Sequence, residues 1–317
     1  MCIKKSRSAD LRNYLRNKTI VFILTGTLVM LTAVAGAFAD TPLKLSVLCD
    51  DKAAAEGFST EHGVSIFIEL PNGHHWLLDT GTTNIYLENA QRMGISLDDL
   101  TGIAISHGHD DHTGGLTFYP RLKGTPPVYG HPYIWHKQYG VKKGSPVRIC
   151  GMPYLARKYT QASFKPVNNV TKLDEGFYFL TDIPREADSY QPIQGKFFNE
   201  DGTGPCPIID DATLVIKTPK GIVAVFGCGH AGYINILKAI KKKFPNEKIL
   251  SVVGGLHLKK ASPEVLEKAV AYTDTVKAKG FTFYGGHCTG ENAIAHFRNV
   301  YGDKVVKPLG AGRVIKY

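Results

Sequence analysis

Between Gly102 and Gly115 the chain reads G-I-A-I-S-H-G-H-D-D-H-T-G-G, which places three histidines and two aspartates within six positions. Imidazole and carboxylate are the ligand types that suit zinc and, less well, iron or manganese. Gly102–Ser106 is a short apolar run of strand character that stops where the polar residues begin. A strand running into a tight glycine-containing loop aims His107 and His109 the same way, because residues two apart share a side. Asp111 and His112 open the next element, where a turn into helix swings them to a second position. One short segment can therefore serve two adjacent metal ions. A solitary histidine is usually a surface or core residue with no ligand role, but H-x-H-x-D-H directly after an apolar strand and before T-G-G reads as a ligand cluster.

Elements that position such a cluster are legible on both sides of it. Lys44–Cys49, Val64–Leu70 and His75–Leu78 read as strands, the last two joined by the turn signal Pro71-Asn72-Gly73. Residues 82–94 read as a helix ending at Gly94. The stretch of about 117–210 is less regular and reads as a loop-rich insertion bordering the site. Within it Tyr133, Trp135, His136, Tyr139 and Tyr154 are available to stack on a planar substrate, or equally to pack. Order returns with a hairpin, Ala212–Lys217 and Ile222–Phe226, then a helix through about Phe244. Strand Lys248–Val253, helix Pro263–Lys279, strand Phe281–Tyr284, a helix and two short strands complete the chain. Two mixed sheets with helices outside is the natural packing. Three strands of this half end in a glycine-flanked histidine, His230, His257 and His287. Repeated placement at the same end of strands points to one shared site.

The segment S-H-G-H-D-D-H-T-G-G resembles the signature of the metallo-β-lactamase-fold superfamily of metallohydrolases. Glu61-His62-Gly63-Val64-Ser65, Leu78-Asp79-Thr80-Gly81, G-C-G-H-A-G, G-G-L-H-L and G-G-H-C-T-G-E occur around it in order. Over residues 44–316 the chain is similar to the branch of dihydropterin ribofuranosylaminobenzene phosphate synthase-like proteins. The resemblance implies a four-layer αββα sandwich of the α/β class and one or two bound zinc ions, with iron or manganese as alternatives. It implies His287 as a ligand of the second ion beside Asp111 and His112, with His230 completing the first beside His107 and His109. Asp79 is expected beneath the metals, hydrogen-bonded to a ligand histidine. Many members carry Gly-Asp where Gly227-Cys228 stands, and that Asp bridges two metals; here Cys228, Asp210 or Asp211 takes its place. His257 is expected as a substrate or transition-state contact.

The expected chemistry is hydrolysis of a small ester, phosphoester or cyclic ester or amide by a metal-bound hydroxide, with Asp111 accepting a proton and His257 or the second ion stabilising the oxyanion. The named activity of the branch, joining a pterin methylene to an aminobenzene ring, is the alternative, and a non-catalytic metal-binding envelope protein is a third.

The chain has 317 residues, 38 of them Lys or Arg and 28 Asp or Glu. Residues 1–39 combine a basic leader, an apolar run from Thr19 to Ala35, and Ala37-Phe38-Ala39 before Asp40. They read as a secretory signal peptide or an uncleaved membrane anchor, placing residues 40–317 outside the cytoplasm. Beyond the leader 32 basic residues face 27 acidic ones. That balance, with no interleaving of aromatic and basic residues, gives no nucleic-acid footprint and leaves a small molecule as the expected partner. Cys49, Cys150, Cys206, Cys228 and Cys288 are an odd set, so at least one thiol is free or bridged between chains.

Overall fold

The computed structural model describes residues 41–140, 148–186, 189–192, 197–199 and 205–317; the expected leader lies outside them. Leu43–Leu70 and His74–Tyr317 form one compact unit. Its first sheet begins with β1 (Lys44–Cys49), β2 (Ser65–Glu69), β3 (His75–Leu78), β4 (Gly102–Ile105) and β5 (Val128–Gly130), side by side in that order. β1 to β3 pair antiparallel and β3 to β5 pair parallel. A parallel step requires a crossover, and helix α1 (Ile85–Arg92) lies between β3 and β4. It is shorter at both ends than the reading over 82–94.

A short helix α2 (Asp110–Thr113) follows β4. Farther on, β6 (Gln138–Gly140) and β7 (Arg148–Ile149) belong to a small separate sheet. Helix α3 (Tyr154–Thr160) leads to β8 (Phe164–Pro166), which pairs with β5, while β9 (Val170–Asp174) and β10 (Phe177–Leu180) start the second large sheet. The segment 117–210 thus supplies strands to both large sheets; its short strands carry too little alternation to be seen in the sequence. β11 (Phe197–Asn199) completes the small sheet against β6.

The second sheet continues through β12 (Thr213–Thr218), β13 (Gly221–Phe226), β14 (Ile249–Gly254), β15 (Lys277–Gly285) and β16 (Val306–Pro308), and β17 (Val314–Lys316) returns to pair with β1. Helices α4 (Tyr233–Lys243) and α5 (Pro263–Val276) make the crossovers between parallel β13, β14 and β15; α6 (Glu291–Tyr301) precedes β16. α5 stops three residues before the expected Lys279 because Lys277 already has extended backbone, φ −63° and ψ 147°.

Burial on both faces fixes the layering. Leu45, Val47, Ile66, Ile68 and Trp76 of the first sheet meet Phe177, Phe179, Leu214, Ile216 and Val225 of the second. The alternate residues Phe67, Leu77, Ile103 and Ile105 pack against Tyr86, Ala90 and Leu116 outside the first sheet. Ala224, Phe226, Val252 and Phe283 meet Ile236, Leu237, Leu266 and Phe297 outside the second. The period of two sends one set inward and the next outward, giving helix, sheet, sheet, helix. The carboxyl ends of parallel β13, β14 and β15 lie together, where open α/β sheets bind ligands.

Candidate metal centre

His107 follows β4 after Ser106, and His109 is the residue before α2, with φ −65° and ψ 151°. His107 Nε2 lies 2.9 Å from His109 Nδ1 and 3.1 Å from His230 Nε2, which comes from the end of β13. All three side chains are buried. The helical turn at Asp110 brings Asp111 and His112 beside this trio: the His112 ring lies 4.2 Å from that of His107, and His107, Asp111 and His112 place ligand atoms within 4.8 Å of one another. There Asp111 Oδ2 is 3.3 Å from His287 Nε2 and 3.7 Å from His112 Nε2.

One carboxylate orients two of these rings. Asp79 Oδ1 accepts from the Ser106 backbone N–H at 2.7 Å, and Asp79 Oδ2 accepts from Ser106 Oγ and His112 Nδ1, each at 2.7 Å. The single Ser106 hydroxyl hydrogen is used on Asp79, so His107 Nδ1, 2.9 Å from Oγ, must donate its hydrogen to it. Both His107 and His112 therefore carry their hydrogen on Nδ1 and turn Nε2 inward. His287 does the same through Asp51, whose Oδ1 accepts from Nδ1 at 2.7 Å.

Sequence reasoning assigned no role to Asp50, Asp51 or His62. Asp50 accepts the backbone N–H of His287 at 2.8 Å, so β1's end holds the loop that follows β15. His62 Nδ1 contacts Asp51 Oδ2 at 3.0 Å, its Nε2 lies 3.4 Å from Asp111 Oδ2, and its ring lies 4.6 Å from that of His287. The available signals were the acidic pair at a strand end and the Glu61-His62-Gly63 run. Glu61 itself accepts from the Thr82 and Thr83 N–H groups at 2.9 and 3.0 Å, holding the loop after Asp79.

Cys228 Sγ sits between the two histidine sets, 3.1 Å from His112 Nε2 and 3.4 Å from Cys288 Sγ. It lies within 4.8 Å of His107 and His230 on one side and of His112 and His287 on the other. Of the three residues considered for the bridging place, only Cys228 reaches it. Asp210 Oδ2 accepts from Gly108 N at 2.6 Å and Asp211 Oδ2 from Ala231 N at 2.9 Å, so those carboxylates hold the loops that carry His109 and His230. All five cysteines among the described residues are free and buried.

His257 joins neither histidine set, but its ligand atom lies within 4.8 Å of those of Cys228 and Cys288; its ring lies 4.3 Å from that of His230 and borders a cleft of about 240 Å³ over the centre. Tyr190 and Phe197 line this cleft. The aromatic residues singled out in the sequence do not: Tyr133 stacks on His136, Trp135 packs edge-on against Phe164, Tyr139 pairs with Phe198 between strands, and Tyr154 is 76% exposed. A stacking role had no spacing rule to test it.

Burial sets the charges. It pushes the imidazole pKa of His109 down to about 4, and those of His107 and His230 well below the ordinary value, so these rings are neutral at pH 7. Burial opposes charge on His112 too, but Asp111 and Asp79 outweigh it and raise its pKa. Asp111 resists its own burial through His112 and His287 and stays a carboxylate. With its hydrogen on Nδ1, His107 turns a bare Nε2 to two neutral imidazole nitrogens about 3 Å away, either of which can donate to it or share a cation with it. A tetrahedral zinc with Zn–N bonds of about 2.0–2.1 Å has N···N edges of about 3.3 Å, close to those here. Among the described residues the buried His287 Nε2 makes no hydrogen bond, although it faces Asp111 Oδ2 at 3.3 Å. The donor set fits metal ions.

A profile of the metallo-beta-lactamase superfamily matches residues 60–234, more than half of the chain, and with this fold and site the chain belongs to that superfamily. It is 27% identical over 287 residues to the 7,8-dihydropterin-6-methyl-4-(beta-D-ribofuranosyl)-aminobenzene-5'-phosphate synthase of Methanocaldococcus jannaschii, covering 87% of this chain and 97% of that one. A second M. jannaschii protein, of uncharacterized function, is 28% identical over 246 residues, 77% of this chain and 90% of its own. Among solved structures, Tm1679, described as a metal-dependent hydrolase of the beta-lactamase superfamily, superposes with a TM-score of 0.73 at 31% identity, over 87% of this chain and 99% of that one.

Proposed function

We propose that this protein is a metal-dependent hydrolase acting on a small ester, phosphoester or cyclic ester or amide. The observation that carries the reading is that His107 with His230, and His112 with His287, each form a ligand group with Cys228 Sγ beside a cleft. His107, His109 and His230 would hold one ion, and Asp111, His112 and His287 the other. Imidazole with thiolate favours zinc over manganese. A metal held there supplies a water whose pKa falls from about 15.7 to about 7, and a Lewis acid for the developing oxyanion. Asp111, a carboxylate at neutral pH, orients the attacking water and takes up its proton. His257 faces the cleft, where its ring stabilises negative charge on the substrate oxygen.

Metal equivalents per chain, measured on wild type and His287→Ala, test the centre; about two should fall to about one. Zinc absorption spectroscopy should show a sulfur neighbour at about 2.3 Å that Cys228→Ser removes. His109→Ala should lose hydrolysis across an ester and phosphoester panel; full activity in that variant rules the mechanism out.

A second reading is favoured by the similarity that spans nearly all of the M. jannaschii synthase. On that reading ions held by the same residues would neutralise a diphosphate leaving group, whose C–O bond to the pterin methylene breaks as the aminobenzene forms the new C–N bond and loses a proton. Incubation with a dihydropterin diphosphate and an aminobenzoate separates the two: a coupled product supports the transferase, and its absence alongside ester turnover supports the hydrolase.

A further inference from the structure

We propose that Lys259 and Lys260 form an anion subsite at the mouth of the cleft and receive a phosphate group carried by the substrate. The inference rests on the cleft being the substrate site, and not on which bond is broken there.

The loop after β14 is built to present these two residues. Leu256 and Leu258 are 0% and 1% exposed and anchor it in the core outside the second sheet. Between them His257 adopts a left-handed backbone, φ 47°, and its N–H points to Cys288 Sγ at 3.3 Å. The Leu256 N–H donates to Thr289 Oγ1 at 3.2 Å, and Ala261 N–H closes a turn onto Leu258 O at 2.9 Å. Gly290 packs so closely that a Cβ there would lie 2.5 Å from Lys259 Cα. The backbone under both lysines is thus held from the core side while their exposed side chains line the cleft beside His257.

Their charge is also uncommitted. Among the described residues the acids facing the cleft are Asp51, Asp110 and Asp111. Asp51 is engaged by His62 and His287, Asp111 by three imidazoles, and Asp110 by Arg148 across the cleft. Among the described residues neither Lys259 nor Lys260 has an ion-pair partner, whereas Lys44, Lys217 and Lys238 are each matched to a glutamate. Two adjacent ammonium groups, each a compact charge with three donors, suit a phosphate. Tyr190 and Phe197 form an apolar wall for the remainder of a phosphorylated small molecule.

The test is calorimetric titration of the zinc-loaded full chain with phenylphosphonate, whose P–C bond is not hydrolysed. Lys259→Ala/Lys260→Ala should weaken binding tenfold or more and flatten its dependence on sodium chloride. The Lys259→Arg/Lys260→Arg pair should restore most of it. Equal affinity in wild type and the alanine pair would mean that the ions alone hold the phosphonate, and would overturn the subsite. Weaker binding in the alanine pair without turnover of any ester would keep the subsite and remove the hydrolase reading. Ester hydrolysis with kcat/KM for phosphorylated substrates unchanged by the alanine pair would do the reverse.

Discussion

Asp79 sits beneath both donor sets and sets two imidazole tautomers, one directly and one through Ser106. It is a buried residue in left-handed backbone, φ 53°, which asparagine also tolerates. Asp79→Asn should therefore keep the turn while replacing an oxygen that accepts two hydrogen bonds by an amide that can donate. Loss of such support typically costs about 10–100-fold in metal affinity. Chelator competition on the purified variant measures it; an unchanged affinity would show that packing alone orients the rings. Spacing singled out His107, His109, Asp111 and His112 as candidates because a run of ligand types after a strand is a sequence pattern, and glycine-flanked strand ends singled out His230 and His287. Asp51 and His62 were not legible as partners, since each meets His287 only through chain closure over more than two hundred positions.

At the scale of elements, the centre depends on how closely the ends of β4 and β13 approach. Gly227 abuts Ser106 so tightly that a Cβ there would overlap its Oγ and lie 2.9 Å from Asp79 Oδ2. Gly227→Ala should push β13 away from β4, separating His230 from His107. Overpacking of this kind costs about 1–3 kcal/mol, so thermal unfolding should shift down by several degrees and the first metal should bind less tightly. A variant with wild-type unfolding and metal content would show that the strand ends have room to part. Most strands and helices of the second half were readable from alternation and from glycine at their ends. The short β5, β8 and β11, of three residues each, were not, because three residues contain too little period to distinguish strand from loop.

The whole molecule carries a pH dependence that follows from closing two sheets over buried acids. Asp211 is 1% exposed, and burial pushes its pKa up to about 6 from an ordinary 3.8. Between those values the folded chain binds more protons at this site than the unfolded chain does. Its contribution is therefore fully present below about pH 4 and is lost as pH rises through about 6. The difference corresponds to about 3 kcal/mol. Asp211→Asn keeps an acceptor for the Ala231 N–H without the buried charge. It should gain stability over wild type at pH 8 and little at pH 4, as read by urea unfolding at both values; an equal effect at the two would show that folding does not raise the pKa of this carboxyl.

Residue type and spacing alone marked the candidate ligand run after β4, the strand-end histidines and the two-sheet architecture. These depend on local period and on chemistry carried within a few positions. Tertiary structure decided that Cys228, rather than Asp210 or Asp211, lies between the two sets, and that Tyr190 and Phe197, rather than the aromatics of 133–154, line the cleft. It also decided that segment 117–210 builds both sheets. Those outcomes depend on distances between residues remote in the chain, which are fixed only when the two sheets pack face to face and bring the ends of β1, β3, β4, β13, β14 and β15 to one edge.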